Sequence, residues 1–344
     1  MFKSIKIKNL RAITELEIEN LGQVNLIVGQ NNCGKTTLLE ALFFIIGNTN
    51  PNLPVRANAF RGLEFLSNEY WDSFFHNMDT DSNIKISVIL REMGEEQKLV
   101  IRPVIQKQTT AIPVSSDIVS VETQNGDSEP GFTPMGLELK YTSSKNPSAK
   151  AISSIFLRGN ELTAEDTKES PLRGVFVGPA TKSDWRNRLA SVQRKKRIGK
   201  LISCLKEIEP DISDVRINEV GILEADIGLR KLIPVNLMGG GIANSISIFL
   251  AMLDSQDGIV LIDEIEDGLH YSVQNKIWKA IFRWAQELNV QIFVTTHSNE
   301  CIRAFSNSVD MTLFGSEAKL FRIERKDEKF RAVEYTQEIG RAHV

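Results

Sequence analysis

The stretch Gly29-Gln30-Asn31-Asn32-Cys33-Gly34-Lys35-Thr36 constrains this chain more than any other part of it. It fits the phosphate-loop pattern, whose mechanism requires a strand before the loop and a helix after it. Val24 to Val28 is a short apolar run ending at Gly29, and KTTLLEALFFII from Lys35 to Ile46 has no helix breaker before Gly47 and Asn48. Glycines let such a loop curl so that backbone N–H groups and the helix N-terminus face an anion. In that frame Lys35 reaches the β- and γ-phosphates, and the Thr36 hydroxyl takes a magnesium position. Gly29, Asn31, Asn32, Cys33, Gly34, Lys35, Thr36 and Thr37 are the expected nucleotide contacts. The structural alternative is a glycine turn ahead of a core helix.

Two further apolar runs lie far along the chain. Ile259-Val260-Leu261-Ile262 reads as a buried strand that delivers Asp263 and Glu264 at its C-terminal end, the sheet edge where α/β folds bind ligands. Asp263 is expected to hold Mg2+, and Glu264 to polarise an attacking water. Ile292 to Thr296 reads as a second buried strand, and His297 at its end is expected to sense a γ-phosphate and orient the water. A solvated strand end and a structural histidine are the alternatives. Gly239, Gly240 and Gly241 open a helical stretch, IANSISIFLAML, and their N–H groups form a possible second phosphate nest. Strands alternating with helices around GIVLI and QIFVTT predict an α/β P-loop NTPase with a mostly parallel, helix-covered sheet. An N-terminal antiparallel β element and a β/helical insertion complete the expected fold class. The segments expected are 1–105, with the phosphate loop; 106–160, a variable polar β-insertion; 161–235, helical and basic with a hairpin; 236–337, with the glycine cluster, the acids and His297; and 338–344.

Together, GQNNCGKTT, LIDEIEDGLH and FVTTHS resemble the ATP-binding-cassette type of ATPase head, and more narrowly its OLD (overcoming lysogenization defect) and RecF-like branch. The resemblance runs from the N-terminal strands to about Tyr335. It implies ATP and Mg2+ as cofactors, ATP hydrolysis, and two subunits that sandwich two nucleotides. It also implies that Leu237 to Gly241 caps the γ-phosphate bound in the opposite subunit, that Asp267 couples the two sites, and that Arg11 in NLRAI lies near the phosphates. A surface-loop acid is the other reading of Asp267. The stretch lacks the Ser and Gln of the transporter pattern LSGGQ, and Ala243 and Asn244 stand where relatives often carry arginines. Gln97, Gln106 and Gln108 are the nearby Q-loop candidates. Relatives of this type act in anti-phage defence or DNA maintenance, some with a nuclease partner. DEIEDGLH in place of DEPTxxLD disfavours a transporter subunit, and a nucleotide-gated binding module with negligible turnover is the alternative class.

With 41 basic and 44 acidic residues the chain carries a net charge of −3, so no global field draws it to nucleic acid or an anionic membrane. The local exception is Lys182 to Lys200, whose Lys182, Arg186, Arg188, Arg194, Lys195, Lys196, Arg197 and Lys200 face one acid, Asp184. It is a candidate for DNA, RNA or an acidic partner, with a solvated helix face as the alternative. Cys33, Cys204 and Cys301 have no CxxC spacing, the N-terminus is strand-patterned rather than signal-like, and no apolar run approaches the roughly 18 residues of a membrane span. A reducing, cytoplasmic location without membrane contact is the expectation. Glu338 to Val344 match a sequencing-adapter translation and are expected to be non-native, with the natural chain continuing past Gln337.

Overall fold

The computed structural model describes residues 1–48, 50–63, 70–104, 135–146, 148, 150–158, 161–165, 172–181, 185–309 and 315–335. Most of the polar stretch expected after residue 105, Lys182 and the tail from 338 lie outside them. Among the described residues no helix is long and apolar enough to cross a membrane.

The N-terminal half alternates apolar and polar side chains, and the backbone answers with strands. These are β1 (Phe2–Leu10), β2 (Ile13–Ile18), β4 (Ile84–Leu90), β5 (Glu96–Val104), β6 (Gly136–Ser143), β7 (Ala151–Arg158) and β8 (Glu161–Glu165). They form one seven-stranded sheet in the order β2-β1-β4-β5-β6-β7-β8, with every pairing antiparallel. β6 and β7, from the 106–160 segment, and β8, from the 161–235 segment, thus extend the sheet that β1, β4 and β5 begin. Ile5 and Ile7 pair with Ile18 and Leu16, so one face is apolar and buried. Lys6 and Lys8 pair with Glu15 and Glu17 on the other.

The second sheet has the order β16-β15-β3-β14-β13-β9. Its strands are β3 (Val24–Val28), β9 (Gly174–Val177), β13 (Ile259–Ile262), β14 (Gln291–Thr296), β15 (Ala318–Lys326) and β16 (Lys329–Tyr335). The five strands from β15 to β9 run parallel, and β16 turns back against β15. This corrects the expected fold class: a parallel, helix-covered sheet is present, but the largest sheet is wholly antiparallel, so the protein is not mostly parallel. The physical reason is connection length. β1–β2, β4–β5, β6–β7 and β7–β8 are consecutive strands with short connections, which favour antiparallel pairing, whereas parallel neighbours need a longer crossover.

Helix α1 (Lys35–Ile46) lies between the two sheets, and every side chain from Thr37 to Ile46 is buried. Its apolar residues share one core with Ile5, Ile7 and Ile86 of the antiparallel sheet and with Leu261 and Phe293 of the parallel one. A second core covers the far face of the parallel sheet. There Leu26, Val260 and Val294 pack with helices α3 (Trp185–Arg194), α4 (Ile198–Ile208), α5 (Gly240–Asp254), α6 (Tyr271–Glu287) and α7 (Asn299–Ser308). Helix α2 (Leu53–Phe60) follows α1, and β10 (Asp214–Ile217), β11 (Leu223–Asp226) and β12 (Ile233–Pro234) form a small antiparallel sheet ahead of α5. Parallel strands buried on both faces explain why VNLIV, IVLI and QIFVTT read as continuous apolar runs.

Candidate nucleotide site

Register brings the motifs to one edge. β14 lies beside β3 with Thr296 opposite Val28, and β13 lies beside β14 with Ile262 opposite Val294. One step further, Gly29 and His297 leave neighbouring strands, and Asp263 emerges level with Thr295. The phosphate loop and two stretches more than two hundred residues further along the chain therefore end together, at the carboxyl edge of a parallel sheet.

Within the loop, Gly34 caps α1 in a left-handed conformation, φ +91°, and a Cβ there would come within 3.1 Å of Ile13. Both facts favour glycine. Lys35 Nζ donates to Gly29 O and Gln30 O at 2.8 Å each, which places the ammonium across the mouth of the loop. Cys33 is buried against Gly29, and burial pushes its thiol above the ordinary range. The Thr36 hydroxyl donates to Asp263 Oδ2 at 3.0 Å across 227 residues of sequence.

Thr295, which sequence reasoning passed over, holds both acids. Its hydroxyl donates to Asp263 Oδ1 at 2.5 Å and accepts from the Glu264 N–H at 2.9 Å. Burial raises the Asp263 carboxyl above its usual value, against the pull of the Thr295 and Thr36 hydroxyls. Glu264 has a left-handed backbone, φ +51°. Burial and then the Asp263 charge raise its carboxyl, while His297 lowers it. An acid so shifted is better suited to take a proton from water. A carboxylate oxygen and a hydroxyl oxygen in contact form a hard donor pair that fits Mg2+.

Arg11 and Arg61 converge on α1. Arg11 Nε donates to Glu40 Oε2 at 2.7 Å, its Nη2 to Asn58 Oδ1 at 2.9 Å and its Nη1 to Ser73 O at 3.5 Å, so its guanidinium is engaged by α1, α2 and the segment after them. Arg61 donates to the same Glu40 through Nε at 2.6 Å and Nη2 at 3.0 Å, and its Nη2 stands 3.5 Å from Thr37 Oγ1. Arg61 was not anticipated. The available signal was Glu40 itself, the only acid in KTTLLEALFFII.

The glycine cluster packs on the loop after β13. Cα of Gly240 lies against Gly268, where a Cβ on Gly268 would meet Gly240 C at 2.9 Å. Asn244 Nδ2 donates to Ile265 O at 2.8 Å and to Asp267 O at 3.0 Å. Asn244, noted in the sequence only as a departure, thus ties the Gly239–Gly241 segment to the Asp267 loop. His297 meets Glu266: its N–H donates to Oε1 at 2.8 Å, and its Nδ1 lies 3.0 Å from the same oxygen. Among the basic stretch, Arg188 is buried and donates to Phe176 O, Lys195 pairs with Asp254, Arg197 bonds Leu253 O and Gln256, and Lys200 pairs with Glu287. Arg186, Arg194 and Lys196 remain exposed.

Comparison with known proteins agrees with this architecture. A Helicobacter pylori protein named ATP/GTP phosphatase is 24% identical over 362 residues, covering 95% of this chain and 94% of that one. The OLD nuclease of Thermus scotoductus is 38% identical over 53 residues, 15% of this chain and 10% of its own. The Smc head domain from Pyrococcus furiosus, solved with the C-terminal domain of ScpA, superimposes with a TM-score of 0.53 at 10% identity, over 99% of this chain and 98% of that one. The fold is that of the Smc head domain. A family model matches residues 24–303, and the chain belongs to that family, described as "AAA domain, putative AbiEii toxin, Type IV TA system".

Proposed function

We propose that the protein is an ATP-hydrolysing, ABC-type ATPase that dimerises around ATP and Mg2+ and uses turnover as a conformational switch for a partner effector. The observation that carries this is the Thr36–Asp263 contact of 3.0 Å, a magnesium-type donor pair assembled from two sequence-distant motifs beside Lys35. In this reading Gly29 to Thr37 cradle the phosphates, Lys35 neutralises their charge, and Thr36 and Asp263 would hold Mg2+, which would offset negative charge developed during cleavage. Glu264 accepts the proton of the attacking water. Gly239 to Gly241 and Asp267 act on the opposite subunit. The full-length likeness to a protein named ATP/GTP phosphatase supports hydrolysis. The family description, which names a "putative AbiEii toxin, Type IV TA system", is what supports a defence role, and action against phage is part of the proposal. The match to an OLD nuclease supports the OLD-like assignment and, with it, an effector nuclease as partner or a role in DNA maintenance. Contact with DNA or RNA would rest on Arg186, Arg194 and Lys196.

One observation favours the second reading, a nucleotide-gated binding module with little turnover: Asn244 is spent on the neighbouring backbone and leaves no side-chain charge behind the glycine cluster. Phosphate release from ATP and Mg2+ by wild type, Glu264→Gln and Lys35→Ala, with solution mass recorded in parallel, decides between them. Turnover lost in both variants, with an ATP-trapped dimer for Glu264→Gln alone, is expected. ATP-dependent dimerisation without wild-type turnover would establish the module instead, and no ATP binding would overturn both.

A further inference from the structure

Glu266 lies outside the residues given a role so far, yet its environment is unusual for an acid. The turn after β13 is tight: Asp267 N donates to Glu264 O at 3.0 Å and Leu269 N to Glu266 O at 2.9 Å. The Glu266 side chain is only 11% exposed. One oxygen, Oε1, takes the His297 backbone N–H at 2.8 Å and faces the ring Nδ1 at 3.0 Å. The other, Oε2, is buried with no hydrogen-bond partner among the described residues. Leaving a carboxylate oxygen buried and unbonded is costly unless a positive charge stands nearby. The imidazole in contact with Oε1 is the group that can carry one.

Chemistry then dictates the ring's state. An ionised carboxylate only accepts, so a ring nitrogen hydrogen-bonded to it must carry the proton. Nδ1 is therefore the N–H site, and Nε2 occupies the edge of the ring away from Glu266. The ring is 54% exposed, and it follows Thr296, which pairs with Val28 immediately before the phosphate loop. Nε2 accordingly belongs to the open side of that edge. Two attachments to one oxygen, through backbone and ring together, hold both the strand end and the imidazole.

We propose that Glu266 is a positioning residue for His297: it fixes the ring and the proton on Nδ1, and so presents Nε2 to the terminal phosphate of a nucleoside triphosphate held in the loop. A ring that carries both protons uses one N–H toward Glu266 and the other toward a phosphate oxygen. Carboxylate–imidazole pairs fix ring tautomer and orientation in the same way where histidines bind metals, and their loss costs about 10- to 100-fold there. The inference rests on the ATPase reading above.

The test uses the full chain with two independent readouts. In 15N-histidine-labelled protein, with His297→Ala used to assign the signal, wild type is expected to show Nδ1 protonated, and Glu266→Ala to shift the ring toward the Nε2–H form. In phosphate release, Glu266→Ala is expected to lower kcat by about 10- to 100-fold, with KM changed far less. Glu266→Gln, which keeps the acceptor and loses the charge, should fall between. Glu266→Ala combined with His297→Ala should be no worse than His297→Ala alone, because the two act as one unit. Multiplicative losses, an unchanged ring signal in Glu266→Ala, or activity that falls only as the folded fraction falls would overturn the proposal. If wild type does not turn over ATP, the ATPase reading fails, while the ring signal still decides what Glu266 does.

Discussion

Replacing Glu40 is the sharpest test of how the phosphate-loop helix is held. The carboxylate is 1% exposed and receives Arg11 Nε at 2.7 Å, Arg61 Nε at 2.6 Å and Arg61 Nη2 at 3.0 Å. Removing one partner of a buried pair costs about 3–5 kcal/mol, because the remaining charge is left without compensation. The two arginines differ in what they can do next. Arg61, whose side chain is 33% exposed, can turn to water, whereas Arg11, at 10%, cannot. Arg11 keeps its bond to Asn58 and its position 4.4 Å above the Phe74 ring, which soften the loss. Glu40→Ala is therefore expected near the lower limit, about 3 kcal/mol. Arg61→Ala leaves the Arg11–Glu40 pair intact and should cost only about 1 kcal/mol. Urea unfolding of both variants, compared at constant m, measures the difference. Glu40→Ala within about 1 kcal/mol of wild type, or Arg61→Ala costing more than Glu40→Ala, would refute the reasoning.

Three further outcomes follow from the packing. Gly268→Ala places a Cβ 2.9 Å from Gly240 C at φ +74°, so it should push the glycine cluster and lower kcat by about tenfold or more while leaving nucleotide affinity unchanged; Asn244→Ala should act in the same direction, and unaltered turnover in both would remove the coupling role. Burial pushes Cys204 up to about 11 and Cys301 up to about 12, from 9.0 for each. Folded values above the unfolded ones mean that this stability is complete below pH 9 and is lost as pH rises toward 11 to 12; alkaline melts should show the decline, and a flat profile to pH 12 would contradict it. Reversing the charge at Arg186, Arg194 and Lys196 together should abolish salt-sensitive binding of a labelled oligonucleotide followed by anisotropy, and binding unaffected by the triple variant would exclude this face.

Local structure in this chain was largely legible. The span Lys35–Ile46 is a helix because it contains strong helix formers and no breaker until Gly47. β3, β13 and β14 are strands because short apolar runs bounded by turn residues have no other compact use. The misreading concerned the balance of the fold. The alternating strands of the N-terminal half were expected as an antiparallel element apart from a variable β-insertion, and their union in one seven-stranded sheet depends on pairings such as β5 with β6, across the residues from 105 to 134.

The amino-acid sequence by itself determined which residues are candidates for a phosphate and a divalent cation, because glycine spacing, a following Lys-Thr and strand-terminal acids carry their chemistry locally. Only the tertiary structure decided which side chains hold them. Thr295 between Asp263 and Glu264, Glu266 beneath His297, Arg61 on Glu40 and Asn244 on the Asp267 loop are ordinary residues in sequence. Each acquires its role from strand register or helix packing, and those follow from burying apolar faces across the whole chain rather than from any motif.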